Sequence, residues 1–156
     1  MQVNNPQLSN DVNALGPWAW KLMGCGVWSP VGKSALGELN DNGTPKWAVI
    51  YDHYEEDGSI QLHIAIGNPK YVTRQAISAV FEYAFYQLGV KKVLGIINSE
   101  NDSALTFDLR LGFKLEYIIE DVYKRGNMYI LSMTREQCRW LRGKDHGISF
   151  KRPAAA

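Results

Sequence analysis

The chain has 156 residues and charges that almost cancel, with a formal net charge of +1. That length fits one domain able to bury about two-thirds of its unfolded surface. The charge balance gives no whole-molecule field that would draw it to nucleic acid or to an anionic membrane. Nor does any apolar run approach the roughly 18 residues a spanning helix needs, and the N-terminus is too polar for a signal peptide.

In chain order, Met1 to Leu15 is rich in Asn, Gln, Ser and Asp without a period, which is the composition of an arm. Pro17-Trp18-Ala19-Trp20-Lys21-Leu22-Met23-Gly24-Cys25-Gly26-Val27-Trp28 follows. Its three indoles, Trp18, Trp20 and Trp28, need cover from the chain's own core, as in a helix packed on a sheet, or from a protein partner or second copy. Val31-Gly32-Lys33-Ser34 has the end of a phosphate-binding P-loop, but Val27 stands where its first glycine belongs, so a turn is expected.

Ala35 to Leu39 and Lys46 to Tyr54 read as strands joined at Asn42-Gly43, and Asp57-Gly58 then turns into a third strand, Ser59 to Ile66. The period changes at Thr73. Ile77, Val80, Phe81, Ala84, Phe85 and Leu88 recur at helical spacing before Gly89, predicting a helix over 73–88. Lys91 to Ile97 is a continuous apolar strand. A short helix over 102–111, with Leu105 and Leu109 on its apolar stripe, stops at Gly112. Phe113 to Asp121 and Asn127 to Met133 form a last hairpin, and Thr134-Arg135-Glu136-Gln137 starts a final short helix as a capping box. The expected organisation is a polar arm over 1–16, one mixed α/β domain over 17–142 and a basic tail over 143–156.

Cys25 and Cys138 have no metal-ligand spacing, which points to reduced thiols in a cytoplasmic chain, with a disulfide between them the alternative. Cys138 and His146 lie on different predicted elements and make no nucleophile–base pair. No metal-ligand cluster stands in the sequence. On the central hairpin, a two-residue Asp57-Gly58 turn would set Asp52 opposite His63. That pairing is either a base oriented by a carboxylate or a plain polar cross-strand pair.

The element order (three antiparallel strands, long helix, strand, short helix, hairpin) resembles the GCN5-related N-acetyltransferase (GNAT) fold over about Ala35 to Arg142. The family pattern Asn-x-x-Ala-(x)7-Gly-Phe falls on Asn101, Ala104, Gly112 and Phe113. Phe81 to Val93 is similar to its helix-plus-strand text. Ile50-Tyr51-Asp52-His53-Tyr54, Pro69-Lys70-Tyr71-Val72-Thr73-Arg74 and Cys138-Arg139-Trp140-Leu141 resemble a divergent subgroup often encoded by tailed phages and prophages.

The resemblance implies acetyl transfer from acetyl-CoA to an amine of a small molecule, peptide or protein. It places the cofactor along Ile64 and Ile66 of one splayed strand and at Lys70, Thr73, Arg74 and Gln75 of the phosphate-facing loop. Asn98 and Asn101 would lie beyond the second strand. The usual glycines of that loop are missing, so Lys70 and Arg74 would bind phosphate as charged side chains. Where many family members carry a proton-donating Tyr, this chain has Asp108, a poor donor at neutral pH unless burial raises its pKa. Tyr117, Tyr123 and Tyr129 are other donors. His63 with Asp52 is the candidate base. The alternative is a catalytically lapsed structural or interaction protein, such as a phage virion component, or a domain that binds acyl-CoA without transferring it.

Overall fold

The computed structural model describes residues 7–142. Most of the described part of the arm read as irregular, residues 7–16, takes regular structure. Leu8–Ser9 (β1) pairs antiparallel with Ser34–Leu39 (β2), and helix α1 spans Val12–Leu22. The helix starts early because Asp11 caps it, its carboxylate accepting from the Asn13 and Ala14 amides. Residues 1–6 and the tail expected over 143–156 lie outside the described residues.

A seven-stranded mixed sheet runs in the order β1-β2-β3-β4-β5-β7-β6. The remaining strands are Pro45–Asp52 (β3), Ser59–Ile66 (β4), Lys92–Asn98 (β5), Lys114–Ile119 (β6) and Met128–Thr134 (β7). The meander, the central helix, the short helix and the closing hairpin are all present as the sequence predicts.

The two faces of the sheet are covered differently. Leu15 and Ala19 of α1 sit on Ala35, Ala48, Ile50 and Ala65, mostly small side chains that let the helix approach closely. Trp18, Trp20 and Trp28 pack against this same cluster, and the Trp28 ring fills the space beside Gly16 where a Cβ would stand.

The opposite face carries helix α2, Arg74–Glu82, which continues as a π-helical turn over Tyr83–Leu88, and helix α3, Asp102–Leu111. The single helix expected over 73–88 thus changes pitch half-way. Side chains from elsewhere hold carbonyls along its length. Tyr51 Oη donates to Val80 O at 2.8 Å, Tyr54 Oη to Leu88 O at 3.2 Å, and Arg135 Nη2 to Phe85 O.

Three local readings are corrected. Asp57 takes φ 57° inside a loop closed by Glu55 N donating to Ser59 O, so the turn is longer than two residues. Asp52 therefore pairs with Gln61, and His63 with Ile50. On α3, Leu109 is exposed while Asp108 and Leu111 are buried, so the inner stripe runs through Ala104, Asp108 and Leu111. The capping box at Thr134 does form, with reciprocal bonds between Thr134 and Gln137, but it closes one turn and no helix follows. The chain beyond it turns again and is held over α2 instead. Ser78 Oγ donates to Trp140 O, and the Arg142 amide donates to the buried Glu82 carboxylate. Cys25 is exposed and Cys138 buried, both free thiols. Among the described residues no helix is long and apolar enough to cross a membrane.

Gly112 ends α3 at φ 110°, and a Cβ there would stand 3.1 Å from the Arg139 guanidinium. Gly112→Ala is expected to lower stability by about 1–3 kcal/mol, through backbone strain and that contact. Urea denaturation at neutral pH measures it.

Candidate active site

The centre of the sheet is its one parallel junction. β4 and β5 pair only through Ser59↔Lys92, Ile60↔Val93 and Gln61↔Leu94. Beyond Gln61 and Leu94 the two strands part, although β4 runs on to Ile66 and β5 to Asn98. The parting leaves inner-edge backbone groups of both strands unpaired in the sheet, the feature an extended amide-bearing ligand needs.

On the α2–α3 face the parting opens into a wholly apolar cleft of about 380 Å³, its open mouth included. Ile64 and Ile66 of β4 line it as expected. Trp47, Val49, Val72, Ile77, Val80 and Phe107 complete the walls. The sequence shows these as ordinary core positions, and the cleft they form between β3, β4, α2 and α3 exists only in the folded chain.

Lys70, Thr73, Arg74 and Gln75 cluster, exposed, at the N-terminus of α2. Thr73 caps it, its hydroxyl accepting from the Ala76 amide at 3.1 Å. The glycine-rich turn is replaced by a 3₁₀ turn, Pro69–Tyr71, held by Asn68 Oδ1 accepting from the Lys70 amide. Tyr71 serves there as a platform. The ammonium groups of Lys70 and Lys46 stand 5.1 and 5.4 Å from its ring centroid. Lys46 is paired with Glu38 at 3.2 Å, so Lys70, Arg74 and the helix dipole make the basic mouth suited to phosphate.

Asn98 and Asn101 do local structural work. Asn98 donates to Arg125 O and accepts from the Glu100 amide, tying the β5–α3 loop to the hairpin loop. Asn101 caps α3 through the Ala104 amide. Both position the second strand's exit, with their side chains bonded within the loop and the helix cap rather than toward the cleft.

The titratable groups lie on the two sides of the parting. Asp108 points from α3 onto β5 at Gly95, where a Cβ would stand 2.9 Å from its Oδ2. Burial alone raises its pKa to about 7, against an ordinary 3.8. Gly95 has no counterpart among the sequence's candidates. Its signal was a glycine inside an apolar strand, which marks close approach.

His63 occupies the other face, with α1. Although the register is two residues from that expected, an even shift keeps side chains on the same face. Asp52 therefore still meets His63, diagonally, at 3.6 Å from Oδ2 to Nε2. That nitrogen is buried and without a hydrogen-bond partner among the described residues. Burial lowers the His63 pKa below 6.5, Asp52 raises it in part, and His53 and Lys33 lower it further. The Trp20 ring stands edge-on at 5.3 Å. Tyr117 is largely exposed, and Tyr129 packs half-buried against the core.

No family model and no curated protein matches the chain. Solved structures do. A mutant form of the spermidine/spermine N-acetyltransferase SpeG from Vibrio cholerae superposes with TM-score 0.66 at 14% identity, over 83% of this chain and 94% of that one. A second mutant of SpeG gives 0.66 at 14% identity, over 83% and 95%. A chimera of SpeG with hSSAT gives 0.59 at 15%, over 67% and 69%. The fold is that of the GNAT N-acetyltransferases. At such identities the likeness concerns the GNAT scaffold, and the chemistry must be argued from this chain's own residues.

Because burial raises the folded-state pKa of Asp108, the folded chain binds a proton that the unfolded chain has lost between about pH 4 and 7. Folding stability therefore falls as pH rises across that window and is lowest above it. Asp108→Asn is expected to abolish this slope. It should stabilise the chain at pH 8 by up to about 4 kcal/mol and have little effect at pH 4. Denaturation of both proteins at pH 4, 6 and 8 checks it.

Proposed function

We propose that the chain is an acetyltransferase that passes an acetyl group from acetyl-CoA to an amine. What supports this reading is a buried carboxyl, Asp108 over Gly95 of β5, and a partly buried imidazole, His63 of β4, on opposite faces of the sheet near the β4–β5 parting. Continuing the register past Gln61↔Leu94 sets Leu62 level with Gly95, under Asp108, and His63 one step further on the opposite face. A thioester lying in the parting would have Asp108 on one side and His63 on the other.

The residues fit acetyl-CoA as donor. The basic mouth at Lys70 and Arg74 takes the phosphates, and the free strand edges and apolar cleft take the pantetheine arm. His63, neutral at pH 7 and with one nitrogen facing Asp52, accepts the amine proton. Asp108 gives its proton to the departing thiolate. The amine nitrogen bonds to the acetyl carbon as the carbon–sulfur bond breaks.

Calorimetry with acetyl-CoA tests the binding half. Micromolar to low-millimolar affinity, weakened several-fold in Arg74→Ala, is expected, and no binding at millimolar ligand overturns the proposal. For turnover on an amine panel, kcat/KM should fall by about 10²–10⁴ in His63→Ala. It should also rise with pH through the depressed His63 pKa and fall above about 7 as Asp108 ionises. Loss of that upper limb in Asp108→Asn assigns it.

A second reading, an interaction role such as a phage virion component, is favoured by one separate observation. Every residue of the edge strand β6 is exposed, with Leu115, Tyr117, Ile118 and Ile119 in a row. An uncovered apolar edge invites pairing with another strand. Sedimentation checks it. A mass above 17.6 kDa that returns to the monomer value in Ile118→Lys is expected on this reading.

A further inference from the structure

α1 lies over one half of its side of the sheet, packing on β2, β3 and β4 at Ala35, Ala48, Ile50 and Ala65. The other half belongs to β5, β7 and β6. There Val93, Ile97, Leu131 and Met133 point into the core under α2 and α3, so alternation turns Leu94, Ile96, Met128 and Ile130 to the α1 side. Tyr117 and Ile119 of β6 pair with Ile130 and Met128 and share that face. Ile96, Tyr117 and Ile119 are exposed. Among the described residues, Leu94, Met128 and Ile130 pack on neither hydrophobic core, although each is half-buried.

This apolar face begins at the candidate base. Ile96 lies two residues beyond Leu94 on β5, as His63 lies two beyond Gln61 on β4, which sets them level across the parting. Ile96 pairs with Ile130, and Ile130 with Tyr117. His63, Ile96, Ile130 and Tyr117 thus form one row on one face. His63 keeps 29% of its side chain exposed although Nε2 is buried on the Asp52 side. The donor's cleft is on the other face, so an amine that gives its proton to His63 approaches from the α1 side. β5 is the strand next to the parting, and β7 and β6 follow at a spacing of about 5 Å each. An alkyl chain of eight carbons reaches from the parting across Ile96 and Ile130 to Tyr117. Charge does not interrupt it, because Lys92 and Glu116 pair with each other at 2.8 Å at the closed end. Asp52 faces Lys33 as well as His63, and the β6–β7 loop sets Glu120 and Asp121 against Lys124 and Arg125. Among the described residues the row itself offers no carboxylate to a second ammonium.

Resting on the acetyl-transfer reading above, we propose that the acceptor is a primary monoamine with an apolar body, seated over Ile96, Ile130 and Tyr117 with its nitrogen at the parting. The ammonium first loses one proton to solvent. Its nitrogen then bonds to the thioester carbonyl carbon and the carbon–sulfur bond breaks. The second amine proton passes to His63, and Asp108 protonates the thiolate. The products are an N-substituted acetamide and free CoA, and His63 and Asp108 recover their protonation states from water. Burial of the body against the row selects the acceptor, and the missing carboxylate disfavours a dication.

The test gives the full chain acetyl-CoA with n-octylamine, ethylamine or 1,4-diaminobutane and follows release of free thiol. For n-octylamine, kcat/KM is expected to exceed that of the other two by about tenfold or more, since each buried CH2 contributes a few-fold. Ile96→Asn and the more exposed Tyr117→Ser should each raise KM for n-octylamine several-fold. Tyr117→Phe should keep the preference, and so should Ile118→Ser, which lies on the same strand but the opposite face. Equal turnover of the three amines, or a preference that both row variants retain, overturns this proposal and leaves the acetyl-transfer reading standing. Acetylation of other amines but not of n-octylamine does the same. No acetylation of any amine overturns both. A dimer in sedimentation that dissociates in Tyr117→Ser, with the amine preference unchanged, gives the face to a second copy and overturns this proposal alone.

Discussion

The geometry of the candidate site depends on the short parallel pairing of β4 with β5. Three residue pairs join them, and then the strands diverge. Were the pairing to continue, the inner strand edges would satisfy one another and the sheet would be closed between its faces. The divergence is stable because each strand has another partner. β3 pairs with β4 through Ile66, and β7 pairs with β5 through Asn98. Each lip of the parting is thereby kept rigid by an antiparallel ladder, and the exposed backbone costs little because it faces a cleft and not packed side chains.

Around that parting the two faces take opposite electrostatic roles. α3 lays Asp108 over a glycine, far enough from water that its carboxyl holds a proton near neutrality. α1 and its indoles bury His63 enough to keep it neutral, while Asp52 limits the depression. Burial acts in opposite directions on an acid and a base, raising one pKa and lowering the other. One physical effect, applied on both sides of a thin sheet, thus moves a carboxyl and an imidazole in opposite directions. Lys33 stands beside Asp52, close to the Trp20 and Trp28 rings.

Much of this was legible in the chain because it was written in local patterns. Ser59–Ile66 and Asp102–Leu111 occupy the spans their turn and cap residues predict. Asp52 and His63 meet although the hairpin loop is longer than its Asp57-Gly58 signal implies, because parity survives a two-residue shift. The inner face of α3 was half legible. Leu105 packs on the core as its spacing implies, but Leu109 is exposed and the helix is turned to seat Asp108 at Gly95, a contact between residues with no local relation. The capping box at Thr134 shows the same limit. Its bonds form, but Ser78 and Glu82 hold the following backbone in another course.

The sequence by itself determined the element order, the helix caps and the resemblance to an acetyltransferase scaffold, since these follow from period, turn chemistry and spacing along the chain. Only the tertiary structure decided that Asp108 is buried against Gly95, that Asp52 meets both Lys33 and His63, and that an apolar cleft opens at Ile64 and Ile66. Each of these depends on desolvation or proximity between residues distant in sequence. Such quantities exist only once the sheet has formed and its faces have been covered.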